Sequence, residues 1–367
     1  MAWREPSNIF AAAAAREPMD CSVIICTRNR HRQLEEALSS ITALVIPPSL
    51  IWELIVVDNG STGATPAVIE AFKSRLPITR VFQPLAGLSN ARNAGIDAAQ
   101  GKYLVWTDDD VHVEPHWLTA FVEAFKRWPE AVVFGGRITP YLLSPTPLWF
   151  LDAFDYLKQR LAARDFGPDP IPLTIENDRI PYGACFAIRA VEQRQYRYDP
   201  NLGRAPGRNR SCEESELIAS ILRANYSGWW VPDAEVKHII PASRQTLEHV
   251  IALYEGTGED WAHLTKKDWR RTIWGVPLSV WAKLPICDLR FRLARLTRSK
   301  VWVHYLGRLA WYRGVFKYCY CEQPPEKWFG YDLQELAKTT RFSKRHRSII
   351  RRRAGRPDFP FTGYGDG

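Results

Sequence analysis

The sequence predicts an α/β protein built on a mostly parallel, doubly wound sheet. Five apolar runs of four to six residues alternate with segments of helical spacing over residues 21–136. This alternation is typical of βαβ units, and strands that are apolar almost throughout are typical of sheets covered by helices on both faces. Neither a Gly-x-Gly-x-x-Gly motif after the first run nor a P-loop motif occurs. A bound nucleotide is therefore not held as in dehydrogenases or P-loop ATPases.

The elements of this region are predicted from apolar spacing and end signals. Strands are expected at 21–26, 52–57, 78–82, 103–106 and 131–134, and the last is expected to stop at Gly135 and Gly136. Helices are expected at about 34–41, after an N-cap at Thr65, at 90–99 after an N-cap at Ser89, and at 115–128.

Charge is distributed unevenly along the chain, whose net charge is +9. Residues 263–356 carry 23 Lys and Arg against 6 Asp and Glu, a net charge of +17, and the rest of the chain carries −8. Four segments are predicted: a flexible lead-in at 1–20, a catalytic domain at 21–245, a helical, basic and Trp-rich extension at 246–340, and a basic tail at 341–367. The basic end is expected to meet an anionic partner.

Cysteine usage and apolar content favour a reduced, cytoplasmic chain. The seven cysteines lack zinc-site spacing, and the pattern of a signal peptide is not present. No apolar window of about 18 residues is found, so no spanning helix is expected. We expect a cytoplasmic location, with peripheral contact to the cytoplasmic face of a membrane.

Three polar clusters directly follow predicted strands, at 27–30, 58–61 and 108–110. Taken alone, the adjacent acids Asp108, Asp109 and Asp110 fit a metal–phosphate site or a solvated acidic turn equally well. The carboxyl ends of parallel strands meet at one edge of a sheet, which favours one shared ligand site. Mg²⁺ or Mn²⁺ would relieve the repulsion among the acids and share them with phosphate oxygens.

Six segments, in order, resemble the family 2 glycosyltransferases, which have a GT-A fold. These segments are VIICTRNR, ELIVVDNGST, GLSNARNAGIDAAQGKYLVWTDDD, YGACFAIR, CEESEL and VKHII, within residues 20–245. The third segment ends in the D-x-D motif, Asp108 and Asp110. The resemblance implies a GT-A type, Rossmann-like sheet and inverting, metal-dependent transfer of a sugar from a nucleoside-diphosphate sugar to a hydroxyl group.

The resemblance also implies roles for the residues at the strand ends. Those implied to bind the donor nucleotide are Thr27, Arg28, Arg30, Asp58, Arg92 and Asp108. Those implied to hold Mg²⁺ or Mn²⁺ are Asp110, Asp108 and His238. Asp109 is interpreted as a surface acid that points away. Arg92 would bind diphosphate or orient Asp108, and the alternative is a surface arginine paired with the acids.

Glu214 is implied to be the catalytic base, since it is the second acid of CEESEL. The family usually has Asp at that position, so Glu213 and Glu216 stay open as alternatives. Those implied to lie on the acceptor side are Gly183, Ala184 and Glu213. The Q-x-x-R-W segment of the processive synthases is missing where this chain has SRQTLEHV, which predicts transfer of one sugar per encounter.

The regions around these segments are interpreted from composition. Residues 137–180 are expected to form a loop and helix over the acceptor mouth, and residues 204–210 either close over the donor or form a solvated basic loop. Val301, Tyr305, Leu309 and Tyr312 recur near helical spacing, which fits a helix packed on the catalytic domain or one on a bilayer. The packed helix is favoured there, and an anionic membrane surface is expected to meet residues 341–356.

Two further functions compete with sugar transfer. A membrane- or glycan-binding protein with an inactive GT-A domain is disfavoured by the retained Asp108, Asp110 and Glu214. A sugar-phosphate nucleotidyltransferase is disfavoured because no Gly-rich basic loop follows the first strand. The expected partners are a nucleotide sugar, with UDP favoured because it is common in the family, and a hydroxyl acceptor such as a sugar or lipid-linked sugar. No nucleic-acid-binding motif is found, so nucleic acid is not an expected partner.

Overall fold

The computed structural model describes residues 19–297 and 299–320, and the side chains of Arg208 and Asn209 are left out of the description. The predicted tail at 341–367, residues 321–340 of the predicted extension and residues 1–18 of the lead-in lie outside the described residues. The expected membrane contact through 341–356 lies outside them as well.

An eight-stranded sheet forms the centre of the described chain, as predicted for a mostly parallel α/β protein. The strands are β1 (Cys21–Thr27), β2 (Trp52–Asp58), β3 (Ile78–Phe82), β4 (Tyr103–Asp108), β5 (Val111–Val113), β6 (Val133–Leu142), β7 (Phe186–Arg189), β8 (Arg204–Ala205), β9 (Arg208–Asn209), β10 (Gly228–Ile240), β11 (Thr272–Ile273) and β12 (Val276–Pro277). The sheet order is β3-β2-β1-β4-β7-β6-β10-β5, and β8–β9 and β11–β12 form two separate hairpins. Within the sheet, β7 and β5 run antiparallel to their neighbours and the other pairings are parallel.

Ten helices flank these strands in the described residues. They are α1 (His31–Ile41), α2 (Thr65–Phe72), α3 (Leu88–Ala98), α4 (Trp117–Arg127), α5 (Leu148–Leu157), α6 (Ala190–Gln195), α7 (Glu213–Arg223), α8 (Leu247–Thr265), α9 (Leu278–Leu296) and α10 (Trp302–Tyr320). Short 3-10 turns at Ala242–Arg244 and Lys266–Asp268 follow β10 and α8.

The side chains of each central strand alternate between two cores, one on each face of the sheet. Val23 and Ile25 of β1 lie in a cluster with residues of α1, α2 and α4, whereas Ile24 lies in a second cluster with residues of α3 and α7. This double coverage explains why the strands are apolar almost throughout, since both faces are removed from water. The doubly wound arrangement predicted from the sequence is therefore confirmed.

Three local predictions were wrong. Thr65 is not an N-cap, because α2 already begins at Thr65 and Ala64 is the residue before it. The strand expected to stop at Gly135 and Gly136 continues through both as β6, because both residues pair in register with β10. A β-carbon on Gly136 would lie 2.3 Å from the carbonyl oxygen of Ala234, so only glycine fits there. Ser89 is not an N-cap, because α3 already begins at Leu88 and the Ser89 hydroxyl donates to the carbonyl oxygen of Leu202 at 2.9 Å.

A third core is formed by α5 together with α8, α9 and α10. Trp149 and Phe150 of α5 are buried in it, so this helix packs against the C-terminal helices, and its expected place over an acceptor mouth stays a prediction. Leu309 and Tyr312 are buried in the same core, which confirms the packed alternative for that helix. In the part of the chain that the structure describes, no helix combines the length and apolar character needed to cross a bilayer.

Candidate active site

The ends of three parallel strands bring the predicted polar clusters to one edge of the sheet. Thr27, the last residue of β1, pairs in register with Asp58, the last residue of β2. Cys26 of β1 pairs with Asp108, the last residue of β4. Register alone therefore aligns the three clusters. The clusters after β1 and β2 are also joined directly, since the Asn59 backbone amide donates to the Thr27 carbonyl oxygen at 2.9 Å.

Asp109 is buried, and its interpretation as a surface acid was wrong. The side chain is 3% exposed, accepts a hydrogen bond from the Thr27 hydroxyl at 2.8 Å and pairs with Arg30. Burial raises the pKa of Asp109 to about 7, against the opposing effects of Arg30 and Thr27. Asp109 therefore fixes the turn after β1 to the acid cluster. Thr27 and Arg30, which were both predicted to bind the donor, contact Asp109 instead.

Asp110 is surrounded by cationic groups. Its Oδ2 atom lies 2.8 Å from Arg30 Nη2, 2.6 Å from Arg244 Nη1 and 3.5 Å from His238 Nε2. Burial would raise the pKa of Asp110, but His238, Arg30 and Arg244 outweigh it and hold this pKa well below its usual range. These three groups favour the ionised form of Asp110, which is the form that binds a metal ion. Its burial also excludes the solvated acidic turn.

His238 reaches Asp110 because of how β10 is paired. His238 lies opposite Val111 of β5, and the Ile239 amide donates to the Asp110 carbonyl oxygen at 2.9 Å. His238 Nδ1 lies 2.8 Å from the Leu161 carbonyl oxygen, which can only accept, so Nδ1 carries the hydrogen and Nε2 faces Asp110. This is how proteins usually orient a metal-binding histidine.

A divalent cation fits this arrangement only as an ion shared with a ligand. Among the residues described, no three His, Cys, Asp or Glu side chains converge on one metal position, so the predicted set of Asp108, Asp110 and His238 is not assembled as a protein cage. Mg²⁺ at phosphate sites is commonly held by one or two carboxylates and the substrate phosphates. Asp110 and His238 supply such a partial set, and Asp108, 36% exposed, borders it.

Arg92 is buried at the centre of a second acidic group. Its guanidinium nitrogens lie 3.5 Å from Asp108, 3.3 Å from Glu213 and 3.6 Å from Glu214. With its side chain 4% exposed and its guanidinium 5.3 Å from the centre of the Tyr198 ring, Arg92 is not a surface arginine. These contacts fit the predicted alternative in which Arg92 orients Asp108.

The two glutamates at the start of α7 lie in different environments. Glu213 is 4% exposed, and burial together with the neighbouring Glu214 raises its pKa to about 8 although Arg92 opposes this. Glu214 has a side chain 15% exposed, and its Oε1 accepts a hydrogen bond from the Gly183 amide at 3.3 Å. Cys212, just before them, has φ of +65°, a conformation uncommon outside glycine, which turns the chain sharply into α7.

The predicted acceptor-side residues separate in the structure. Gly183 contacts Glu214, and a β-carbon there would lie 2.6 Å from Arg92 Nη2, so glycine permits this close approach. Ala184 is 2% exposed and belongs to the hydrophobic core, so its side chain cannot face an acceptor. Glu213 is likewise buried behind the position of Glu214. Of the three, Gly183 alone retains a position consistent with the prediction.

The remaining predicted donor residues lie at the turns after β1 and β2. Asp58 is fully buried and pairs with Arg80 Nη2 at 2.6 Å, and Arg28 donates to the Asn59 carbonyl oxygen. Arg80 has a side chain 34% exposed and was missed by the sequence analysis, although a charged residue inside a predicted strand was a usable signal.

The segment 204–210 contains the hairpin β8–β9, turned at Pro206 and Gly207, which are typical of a type II turn.

Arg244 and Tyr198 were also missed by the sequence analysis. Arg244 lies six positions after His238, and a cation so close to a predicted metal ligand could have been noted from the sequence. Tyr198 gave no signal of this kind. It reaches Arg92 because the Asn93 side chain bonds both the amide and the carbonyl group of Tyr198, at 3.0 and 2.9 Å.

The fold is that of the GT-A glycosyltransferases. A mannosyltransferase from Pyrobaculum calidifontis, solved in complex with GDP-Man and Mn²⁺, superposes with a TM-score of 0.55 at 17% sequence identity. The superposition covers 83% of this chain and 88% of that one. The GT-A type sheet implied by the sequence resemblance is therefore confirmed.

The sequence comparison agrees with this fold. Residues 22–175, less than half of the chain, match the model of glycosyl transferase family 2. It is 26% identical over 207 residues to the glucosyl-dolichyl phosphate glucuronosyltransferase of Haloferax volcanii, covering 55% of this chain and 63% of that protein. It is 32% identical over 136 residues to the succinoglycan biosynthesis protein ExoM of Rhizobium meliloti, covering 36% and 43%. The chain thus spans less than two thirds of either relative's length.

Proposed function

We propose that this protein transfers one sugar from a nucleoside-diphosphate sugar to an acceptor hydroxyl group, with inversion at the anomeric carbon. The observation that carries the proposal is the position of Arg92 between Asp108 and Glu214, at 3.5 and 3.6 Å. One buried guanidinium thereby holds an acid of the donor-side motif next to a carboxylate suited to deprotonate an acceptor. Both lie at the sheet edge where α/β proteins bind ligands.

Glu214 is the best candidate for the base among the three neighbouring glutamates. Glu213 is buried and holds its proton up to about pH 8, and Glu216 pairs with Arg223 at 3.0 Å on the exposed side of α7. Glu214 is partly exposed, and the Gly183 amide orients one of its oxygens. Its carboxylate would accept the hydroxyl proton as the acceptor oxygen bonds to the anomeric carbon. The bond from that carbon to the diphosphate breaks on the opposite face, and the nucleoside diphosphate departs.

Asp110, His238 and Asp108 are proposed as the groups that hold the donor diphosphate through Mg²⁺ or Mn²⁺. When bound, the cation would neutralise the charge that develops on the departing diphosphate. This chain contributes the Asp110 carboxylate, whose ionised form is favoured by His238, Arg30 and Arg244. It also contributes the His238 ring, which is oriented by the Leu161 carbonyl group. Asp58, Arg28 and Thr27 would bind the nucleoside part, with Arg80 displaced from Asp58 or included in the contact.

The acceptor is proposed to be a sugar or lipid-linked sugar in glycoconjugate or polysaccharide synthesis, at a cytoplasmic location. Support comes from the two relatives, one named for a glucosyl-dolichyl phosphate and the other for succinoglycan biosynthesis. UDP is proposed as the nucleotide, on its frequency in the family alone. We also propose that one sugar is transferred per encounter, because the Q-x-x-R-W segment of the processive synthases is missing.

Nucleotide binding is tested by calorimetric titration of UDP, GDP, CDP and dTDP, each with Mn²⁺ and with EDTA. We expect one nucleotide to bind in the presence of Mn²⁺, and binding to be lost in Asp110→Asn. The matched control is Asp97→Asn, whose side chain is 66% exposed and pairs with Arg197. If none of the four nucleotides binds under either condition, the donor-site assignment is wrong.

The base is tested by donor turnover with water or the identified acceptor. Glu214→Gln should lower kcat by about 10²-fold or more, the usual contribution of a general base, whereas Glu216→Gln should retain it. NMR of the freshly released sugar should show the anomer opposite to that of the donor. Full activity in Glu214→Gln would overturn the base assignment, and a retained anomer would overturn the single displacement.

A further inference from the structure

The outward face of α9 is apolar along the whole helix. At 3.6 residues per turn, the side opposite the buried residues Val280, Cys287, Phe291 and Ala294 carries Leu278, Ala282, Pro285, Ile286, Leu289, Leu293 and Leu296. The four larger side chains in its second half are 53% (Ile286), 57% (Leu289), 51% (Leu293) and 80% (Leu296) exposed. Scattered exposed apolar residues are normal, but a continuous row over about 28 Å marks an interaction surface. We call this row the α9 stripe.

Basic residues border the α9 stripe on both sides. Lys283 and Arg290 are exposed on one flank, and Arg292 and Arg295 lie on the other. Asp288 is the acid within α9, and it pairs with Arg292 at 2.7 Å. The α9 stripe with its flanks is therefore net positive around an apolar centre.

The hairpin β11–β12 extends this surface at the start of α9. At its tip, Trp274 is 76% exposed, and Ile273 beside it is 46% exposed. Trp274 has φ of +49° and Gly275 has φ of +74°, the combination of a two-residue type I′ turn. A bulky residue at positive φ is unfavourable. The Trp274 ring meets the Trp281 ring of α9 edge to face, with 5.8 Å between centroids, and most of its surface stays exposed. The tip is fixed to α9 by the Trp281 indole, which donates to the Ile273 carbonyl oxygen at 3.2 Å.

We propose that the α9 stripe and the Trp274 tip form a docking surface for an anionic lipid bilayer, with α9 lying in the plane of the interface. An apolar face flanked by Lys and Arg, with tryptophan at its edge, is the chemistry that binds the boundary between headgroups and acyl chains. The basic flanks match an anionic membrane surface and would repel a second basic copy of the same face. The proposal does not depend on the glycosyl transfer proposed above.

Vesicle sedimentation of the full chain tests the proposal. We expect binding to mixed phosphatidylglycerol–phosphatidylcholine vesicles, with weaker binding to pure phosphatidylcholine vesicles. Leu289→Gln with Leu293→Gln should weaken binding by about tenfold or more, because two inserted side chains are lost. The matched control is Val45→Gln with Val191→Gln, two positions 51% and 60% exposed on the catalytic domain, which should bind as wild type. Lys283→Gln with Arg290→Gln should reduce the preference for anionic vesicles.

Several outcomes would overturn the proposal. Wild type that sediments with neither kind of vesicle, or a Leu289/Leu293 variant that binds as well as wild type, would place membrane contact elsewhere or exclude it. If light scattering shows that wild type is a dimer and that this variant is a monomer, the α9 stripe is a contact surface between two copies of the chain. A lowered unfolding midpoint in the same variant would show that other residues of the chain cover the stripe, since replacing solvent-exposed side chains should leave stability unchanged.

Discussion

Arg244 Nη1 lies 2.6 Å from Asp110 Oδ2 and 3.4 Å from His238 Nε2. An arginine side chain is always charged, so Arg244 puts a positive charge at the point that these two candidate metal ligands face. Arg244 and a divalent cation cannot occupy that point together. The next residue, Gln245, is anchored by hydrogen bonds of 2.8 Å to the carbonyl oxygens of Leu143 and Ile240. We therefore expect the Arg244 side chain, and not the backbone, to move when a cation binds.

Replacing Arg244 by alanine should increase the affinity for Mn²⁺ in the absence of nucleotide. The arginine competes with the cation for Asp110. Removing the arginine raises the apparent Mn²⁺ affinity by the inverse of the fraction of protein in which Asp110 had been free of it. If the ion pair between Arg244 and Asp110 contributes about 1 kcal/mol, its loss should raise the Mn²⁺ affinity roughly fivefold to tenfold. The measurement is the free Mn²⁺ signal in electron paramagnetic resonance during titration of the protein.

Arg223→Ala is the control for this titration, because Arg223 pairs with Glu216 at 3.0 Å and is 54% exposed. Its Mn²⁺ affinity should equal that of wild type. An unchanged or weaker affinity in Arg244→Ala would show that Arg244 aligns Asp110 for the cation instead of competing with it.

Gly183→Ala should lower activity with little loss of stability. The new β-carbon would lie 2.6 Å from Arg92 Nη2 and 3.3 Å from Glu214 Oε1, so the ends of these side chains must shift. Displacing a catalytic group by about 1 Å can lower the rate by up to about 10²-fold, and we expect a decrease in kcat between about tenfold and a hundredfold.

Gly136→Ala provides the contrast to Gly183→Ala. Its β-carbon would lie 2.3 Å from the Ala234 carbonyl oxygen, a backbone atom that cannot move aside, so the unfolding midpoint should fall sharply. Thermal unfolding and donor turnover measured on both variants separate the two effects. A large loss of stability in Gly183→Ala, with kcat unchanged, would contradict the assignment of Gly183 to the active site.

The fold could be predicted because its signals are local. Continuous apolar strands such as Cys21–Thr27 and helical spacing such as that of Leu34, Leu38 and Ile41 appear within short windows of sequence. The third core could not be predicted in this way. Trp149 and Trp302 approach to 6.2 Å between ring centroids although they are far apart in sequence, and no local pattern records that contact.

The stability contribution of Glu213 should decrease as pH rises. Its pKa in the folded protein is raised to about 8 from an ordinary value of 4.5, so the folded state binds the proton more tightly than the unfolded chain. The contribution is complete below about pH 4.5 and is lost as pH rises through about 8. The free energy of unfolding of wild type minus that of Glu213→Gln, from urea titrations, should fall by up to ~1.4 kcal/mol per pH unit across this window.

Glu216→Gln serves as the control for the pH series, because Glu216 is 37% exposed. Its difference from wild type should stay nearly flat over the same range. A difference for Glu213→Gln that rises with pH would mean that the ion pair with Arg92, and not burial, dominates the environment of Glu213.

Only those residues of the candidate site whose side-chain type alone indicates their chemistry could be predicted from the sequence. The acids Asp108 and Asp110 and the glutamate pair at the start of α7 were found, because carboxylates at strand and helix ends are visible in sequence. Which carboxylates are buried depends on distant partners. Asp109 is enclosed by Thr27 and Arg30, which lie about 80 positions away in the sequence. This enclosure depends on the register between strands, which cannot be read from the sequence.

The turn that carries Glu214 is tied to the C-terminal helices through one carboxylate. Asp260 of α8 is 2% exposed and accepts hydrogen bonds from the Ser211 amide at 3.0 and 3.1 Å and from the Ser211 hydroxyl at 2.7 Å. Ser211 directly precedes Cys212, whose left-handed conformation starts α7. Asp260 therefore holds the strained turn in place from outside the segment that matches the family.

Asp260→Ala should lower kcat by about tenfold and leave the affinity for nucleoside diphosphate nearly unchanged, because the base-bearing turn loosens while the strand ends are untouched. Leaving the Ser211 amide without a partner should also lower the free energy of unfolding by about 1–3 kcal/mol. Asp260→Asn, which keeps one acceptor oxygen, should recover part of the activity, and Asp268→Ala, at an exposed position in the 3-10 turn after α8, should behave as wild type. Steady-state kinetics and calorimetry on the three variants decide the matter. If nucleotide affinity falls as much as kcat in Asp260→Ala, the tie supports the whole sheet edge and does not act through Glu214.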